Sequence, residues 1–203
     1  MGRDEPSKPA GARVTATTES TDLSNHFLLA MPNMADPNFS GAVVLIAEHS
    51  ERGALGLVVN KPTTMTLATL LERIELTHHD DDQARMPVFF GGPVQTDRGF
   101  VLHQPPGEWN STVAIGSDLS LTTSKDVLEA VAAGEGPERL LVTLGYAGWG
   151  PGQLEAEITQ NAWLTVKADP GLLFDTPAEE RFIQAYQMLG IDPALLSPAA
   201  GHA

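Results

Sequence analysis

The chain has 203 residues, of which 42% are hydrophobic and 19% charged, a balance that fits one globular domain and excludes collagen-like, repeat-built and wholly disordered chains. Twelve Lys and Arg against 26 Asp and Glu leave a net charge of −14, so the average surface repels nucleic-acid phosphates and anionic lipid head groups. The lack of cysteine removes disulfides, thiolate metal sites and thiol nucleophiles together.

Met1 to Asp22 lack apolar periodicity and are rich in Pro, Gly, Ser and Thr, which predicts a disordered N-terminal tail over residues 1–22 and a single domain over 23–203. No apolar core follows the first basic residues as a secretory signal requires, and the run Ala42–Ala47 falls far short of the ~20 residues of a membrane span. The expected location is the cytoplasm.

Short runs rich in Val, Ile and Leu, bounded by Pro, Asn or Gly, predict strands at Phe27–Met31, Ala42–Glu48 and Leu55–Asn60. Further strands are expected at Val88–Phe90, Gly99–His103, Thr112–Ile115, Arg139–Leu144 and Trp163–Lys167. Thr66 opens a predicted helix over Leu67–Ile74, and Ser124 or Thr123 one over Lys125–Ala133 ending at Gly134. Another is expected at Pro151–Gln160, and a short turn at Asp192-Pro193. Thr176-Pro177-Ala178-Glu179 reads as a capping box, followed by Phe182, Tyr186 and Leu189 on one face and a stop at Gly190. Strands come in runs and outnumber helices, which gives an α+β class: one compact domain, a mixed sheet and helices packed on it.

The sequence contains no nucleophile elbow, no Gly-Lys-Ser/Thr phosphate loop, no zinc helix and no EF-hand loop. Gly145–Gly152, dense in glycine, reads as a tight strand-to-helix connection that lets Trp149 pack over the sheet, the alternative being a loop that touches a ligand. Asn60-Lys61-Pro62 and Gly91-Gly92-Pro93 each end a strand. Side by side, they would form a polar, glycine-floored mouth for a small molecule. Glu48-His49, Arg98 and His103 are the other polar groups beside apolar runs, and because successive strand residues face opposite ways, Glu48 and His49 cannot both serve one site unless the strand ends there. His78–Asp82 reads as a solvated loop, and no metal site is expected.

Gly41-Ala42-Val43-Val44 leading to Glu48-His49, then Gly53 to Pro62, Phe90 to Val94 with Arg98 to His103, and Leu144 to Glu155 running on to Asn161-Ala162-Trp163-Leu164 closely resemble the bacterial AlgH/YqgE family. The likeness spans about Ser24 to Gly190. It implies a cytosolic α+β domain with a mixed sheet, in a family labelled transcriptional regulators after a proposed role in alginate regulation. It supplies no catalytic residues. This chain has Ala47 where many members carry Cys.

The expected function is therefore a cytoplasmic regulatory or interaction protein, acting indirectly through a protein partner or small ligand and without enzymatic activity or cofactor. The alternative is a small-molecule binder or weak enzyme using the strand-end mouth. Candidate ligand- or partner-binding residues are Asn60, Lys61, Gly91, Gly92, Arg98, His103, Trp149 and Gln153. Basic residues are dispersed along the sequence, which argues against direct DNA contact.

Overall fold

The computed structural model describes residues 21–78 and 81–196. The strands are β1 (His26–Ala30), β2 (Val43–Ser50), β3 (Gly53–Val58), β4 (Pro62–Thr66), β5 (Pro87–Phe90), β6 (Val94–Gln104), β7 (Thr112–Ile115), β8 (Leu119–Thr122), β9 (Arg139–Trp149) and β10 (Trp163–Lys167). The helices are α1 (Leu67–Arg73), α2 (Asp81–Ala84), α3 (Asp126–Ala132), α4 (Gln153–Thr159), α5 (Pro170–Phe174) and α6 (Ala178–Met188), with a final 3₁₀ turn at Pro193–Leu196. The strands join in one curled sheet of order β10-β1-β2-β3-β9-β6-β8-β7, with β5 beside β9 and β4 beside β5. Among the described strands only β5 and β9 run parallel, so the sheet is mixed and the class α+β, as expected.

β9 is the spine. Along one edge it pairs with β6 from Tyr146 to Arg139. Along the other it first meets β5 at Thr143 and Leu144, then β3 from Ala147 to Trp149. The chain leaving β5 crosses between those two partners at Gly91 and Gly92. Gly91 donates its N–H to Leu144 O at 2.8 Å and accepts from Val58 N–H at 2.8 Å. A Cβ on Gly91 would lie 2.2 Å from Gly145 O, and one on Gly92 2.1 Å from the Tyr146 carbonyl carbon. Only glycine tolerates such backbone approach. The crossing also corrects the expected turn at Gly145–Gly152: Gly145 to Trp149 continues β9, because glycine there admits the Gly91-Gly92 backbone, and only Gly150 to Gly152 turn.

The inner face of the sheet carries the main core, in which Phe27, Leu29, Leu45, Leu57, Leu102 and Leu141 pack with Leu172, Leu173, Ala185 and Tyr186 of α5 and α6. The outer face splits. Trp149 and Trp163 pack with Leu154 of α4 over β1, β2 and β3, while α1 and α3 cover Val88, Val101 and Val142.

Two features tie α6 down. Tyr186 donates its hydroxyl to Ala30 O at 2.6 Å, burial pushing the phenol up to about 12, and the Arg181 guanidinium donates to Thr176 O and Val59 O. The expected capping box does not form. Pro177, in an extended conformation, takes the N-cap position, which leaves Thr176 one residue too early; its hydroxyl faces Gly171 O and Gln184 Oε1 instead. β4 and β8 were not foreseen, the first being polar and the second only a few residues long. Residues 1–20 of the expected tail and His79-Asp80 of the expected loop lie outside the described residues. Among the described residues no helix is long and apolar enough to cross a membrane.

Candidate functional site

The strand ends at Asn60-Lys61 and Gly91-Gly92 do lie side by side, Phe90 N–H donating to Lys61 O at 2.9 Å. Their polar atoms are spent on the chain itself. Asn60 accepts from Val43 N–H through Oδ1 and donates to Gly41 O through Nδ2, both at 2.8 Å. Lys61 Nζ donates to Pro37 O at 3.2 Å and Asn38 O at 2.9 Å. Burial pushes its ammonium pKa down, an effect the nearby Asp36 partly offsets. Together they fasten the loop of residues 31–41 over the outer face.

That loop delivers Phe39 onto Trp149 and Trp163, with ring centroids 6.3 and 5.6 Å away. Both indoles donate to Glu157 Oε2, at 2.9 and 2.8 Å. Gln153 completes the arrangement by donating to Glu157 Oε1 at 3.0 Å and accepting from Gly150 N–H. Beside it, His49 Nδ1 accepts from Leu23 N–H at 3.0 Å, so the ring proton sits on Nε2 and is donated to Glu155 Oε1 at 2.8 Å. Glu155 is held below the usual carboxylate range by its own backbone N–H and by His49. Trp149 and Gln153 are thus anchored parts of a closed aromatic corner around Glu157, a residue the sequence reading passed over.

His103 is fully buried. Its Nδ1–H donates to Pro105 O at 3.1 Å and its Nε2 accepts from Thr122 Oγ1 at 2.9 Å, with Thr112 Oγ1 a further 2.7 Å along the chain of hydroxyls. Burial pushes its pKa down. Both ring nitrogens are occupied, and the ring meets Trp109 edge-on at 4.9 Å.

Arg98 is placed differently. At the end of the inner face not covered by α5 and α6 lies a cavity of about 310 Å³, floored by Leu55, Phe100, Leu121 and Tyr146 and flanked by Glu48 and Arg98. Pairing across the sheet puts them there: Glu48 is opposite Leu55, Leu55 opposite Gly148 of β9, and Tyr146 touches Phe100 at 5.6 Å between centroids. The Arg98 guanidinium lies 5.5 Å from the Phe100 ring centre and, among the described residues, donates one long hydrogen bond, of 3.4 Å, to Gln95 Oε1. Neither Glu48 nor Arg98 takes part in an ion pair among the described residues. Val113, on the rim, is 42% exposed. As expected for adjacent strand residues, Glu48 faces this cavity while His49 faces α4. The structure thus separates Arg98 from the other expected site residues. The sequence signal for this site was Arg98 and Phe100 at a spacing of two, on one face of β6. Among the described residues no group of three His, Asp or Glu could hold a metal ion.

Comparison with known proteins decides the relationship. A family model described as AlgH-like matches residues 27–194. The chain belongs to the AlgH-like family. The UPF0301 protein of Bordetella avium is 62% identical over 183 residues, covering 90% of this chain and 92% of that one. The solution structure of the AlgH protein from Pseudomonas aeruginosa superposes with a TM-score of 0.75 at 51% identity, covering 92% of this chain and 98% of that one. A Corynebacterium diphtheriae protein shares the fold at 19% identity and a TM-score of 0.67, over 97% of this chain and 94% of that one. The AlgH-like resemblance read from the strand and glycine motifs is thereby confirmed, and with it the curled mixed sheet.

Proposed function

We propose that this AlgH-like protein is a cytoplasmic regulatory protein that binds a small amphiphilic molecule in the cavity between Glu48 and Arg98 and acts on a protein partner, without catalysis of its own. One observation carries the reading: an apolar floor of Leu55, Phe100, Leu121 and Tyr146 lies between opposite charges that have no ion-pair partner in the described protein. A few convergent polar groups over an apolar floor are the general form of a ligand site. The spare cation and anion suit a molecule with complementary charges on a hydrophobic body.

His49 and His103 lie outside the lining with both ring nitrogens engaged, so neither supplies acid–base chemistry there. The net charge of −14 supports action through a protein partner over direct DNA contact. The test is native against denatured mass of the chain purified gently from its host, beside a Glu48→Ala, Arg98→Ala double variant. An excess on the order of a few hundred daltons on the parent, absent from the variant, is expected for a cavity of this size. A bare parent chain would contradict the reading, as would equal excess on both.

A further inference from the structure

A second cavity, of about 230 Å³, lies on the far side of the inner core, where α1, β5, β9, α5 and α6 meet. Its lining side chains are apolar except one: Leu67, Phe89, Leu141, Leu173 and Ala178 share the cavity wall with Arg181. Arg181 is only 7% exposed. A guanidinium cannot shed its charge, so burying one without an anion is costly. Among the described residues it takes part in no ion pair, and the Glu179 carboxylate only partly offsets the cost of its burial. Two carbonyl oxygens, of Thr176 and Val59, accept from Nε and Nη1, and the Phe89 ring lies 5.1 Å from the guanidinium carbon.

Nη2, with two N–H groups, has no hydrogen-bond partner in the described protein. Nor is it sealed away: the fully enclosed, unpartnered side-chain atoms are Asn25 Oδ1, His78 Nδ1 and Thr143 Oγ1. The free donor is therefore in contact with open space, and the space that Arg181 lines is this cavity.

We propose that the Arg181 cavity is a binding site for a compact monocarboxylate with a hydrophobic body, such as an aryl or branched-chain acid, its carboxylate on Nη2 and its body against Phe89, Leu141 and Leu173. A carboxylate accepts a charge-assisted hydrogen bond from the Nη2 N–H groups and supplies the anion that the buried guanidinium lacks. A phosphate does not fit: its further oxygens would face Leu67, Leu140, Val142 and Leu173, which offer no side-chain donor. The volume also falls below the ~300–1,000 Å³ of drug-sized sites, which restricts the body to a single ring or short branched chain. Burial lowers Arg181 only to about 10, so the cation persists at neutral pH. This site is separate from the Glu48–Arg98 cavity and does not depend on it.

The test is a ¹H–¹⁵N NMR titration of the full chain with benzoate and, separately, with benzamide, its neutral near-isostere. Benzoate is expected to shift the amide signals of Phe89, Leu141, Leu173 and Ala178, and to bind about tenfold or more tightly than benzamide, as a charge-assisted hydrogen bond implies. Ala178→Phe, which fills the cavity while keeping Arg181, is expected to abolish those shifts. Arg181→Gln is expected to equalise the two probes. Because Arg181 also ties α6 to Val59 and Thr176, the Ala178→Phe result stands where Arg181→Gln fails to fold. Equal shifts from the two probes on the parent chain, shifts confined to residues outside this cavity, no shift at all, or benzoate binding that survives Ala178→Phe would each overturn the proposal.

Discussion

The outer corner around Trp149 and the open end of the inner face sit on opposite sides of the same strands, and they spend their polar groups in opposite ways. At the corner, Asn60, Lys61, Gln153 and both indoles are bonded to the chain itself, and Phe39 closes the arrangement from above. At the open end, Glu48 and Arg98 flank an apolar floor and take part in no ion pair among the described residues. The Trp149 corner is scaffold, and the candidate binding surface is assembled from Glu48, Leu55, Arg98, Phe100 and Tyr146, which four different strands contribute.

Substitutions sharpen this contrast, beginning with the glycine crossing. Gly92→Ala places a Cβ 2.1 Å from the Tyr146 backbone at a φ of +153, so a loss of upwards of about 3 kcal/mol is expected, enough to deplete folded protein. Circular dichroism and soluble yield report it. Trp149→Ala removes a side chain 6% exposed and should cost about 3–5 kcal/mol in urea unfolding. Unchanged stability would mean that the corner is not the structural element described. Glu157→Ala leaves both indole N–H groups without their acceptor and is expected to cost about 2–6 kcal/mol, each lost partner contributing about 1–3.

A pH effect of intermediate size follows from His103. Burial holds the folded imidazole below its ordinary value of 6.5, so as pH falls the unfolded chain takes up the proton first. The stability tied to the neutral ring is therefore full above 6.5 and is lost as pH drops through that value towards the folded pKa. Urea midpoints between about pH 7 and 5 should decline, and His103→Gln should flatten the decline. At the small end, Arg98→Ala and Glu48→Ala should change stability by no more than about 0.5 kcal/mol, as surface substitutions do. A larger loss at either would make the open end part of the scaffold and dissolve the contrast.

Much of the fold was legible because burial is periodic. β7 and β10 match the expected strands residue for residue, and Leu67–Ile74 and Lys125–Ala133 match α1 and α3 to within a residue at each end. The α6 face of Phe182, Tyr186 and Leu189 lies against the inner core as its spacing requires. Tertiary constraint was less visible. Local composition made Gly145–Trp149 look like a turn, and only the crossing of Gly91-Gly92 explains why it is a strand. The site is legible in fragments: Arg98 stands among the candidate residues, but Glu48, across the floor from it, does not. Strand alternation separates Glu48 from its neighbour His49, whereas the pairing that places Glu48 near Tyr146 and Phe100 depends on strand order, which sequence periodicity does not encode. The role of Glu157 comes from indoles on β9 and β10, which local spacing does not connect and the curled sheet brings together.

Amide hydrogen exchange on the chain purified from its host, compared with the same chain unfolded, dialysed and refolded, tests the contrast most directly. The account expects host-purified protein to exchange more slowly around Leu55, Phe100, Val113 and Leu121, with the Trp149–Glu157 corner unchanged. Identical exchange in both samples, or a difference confined to that corner, would contradict it.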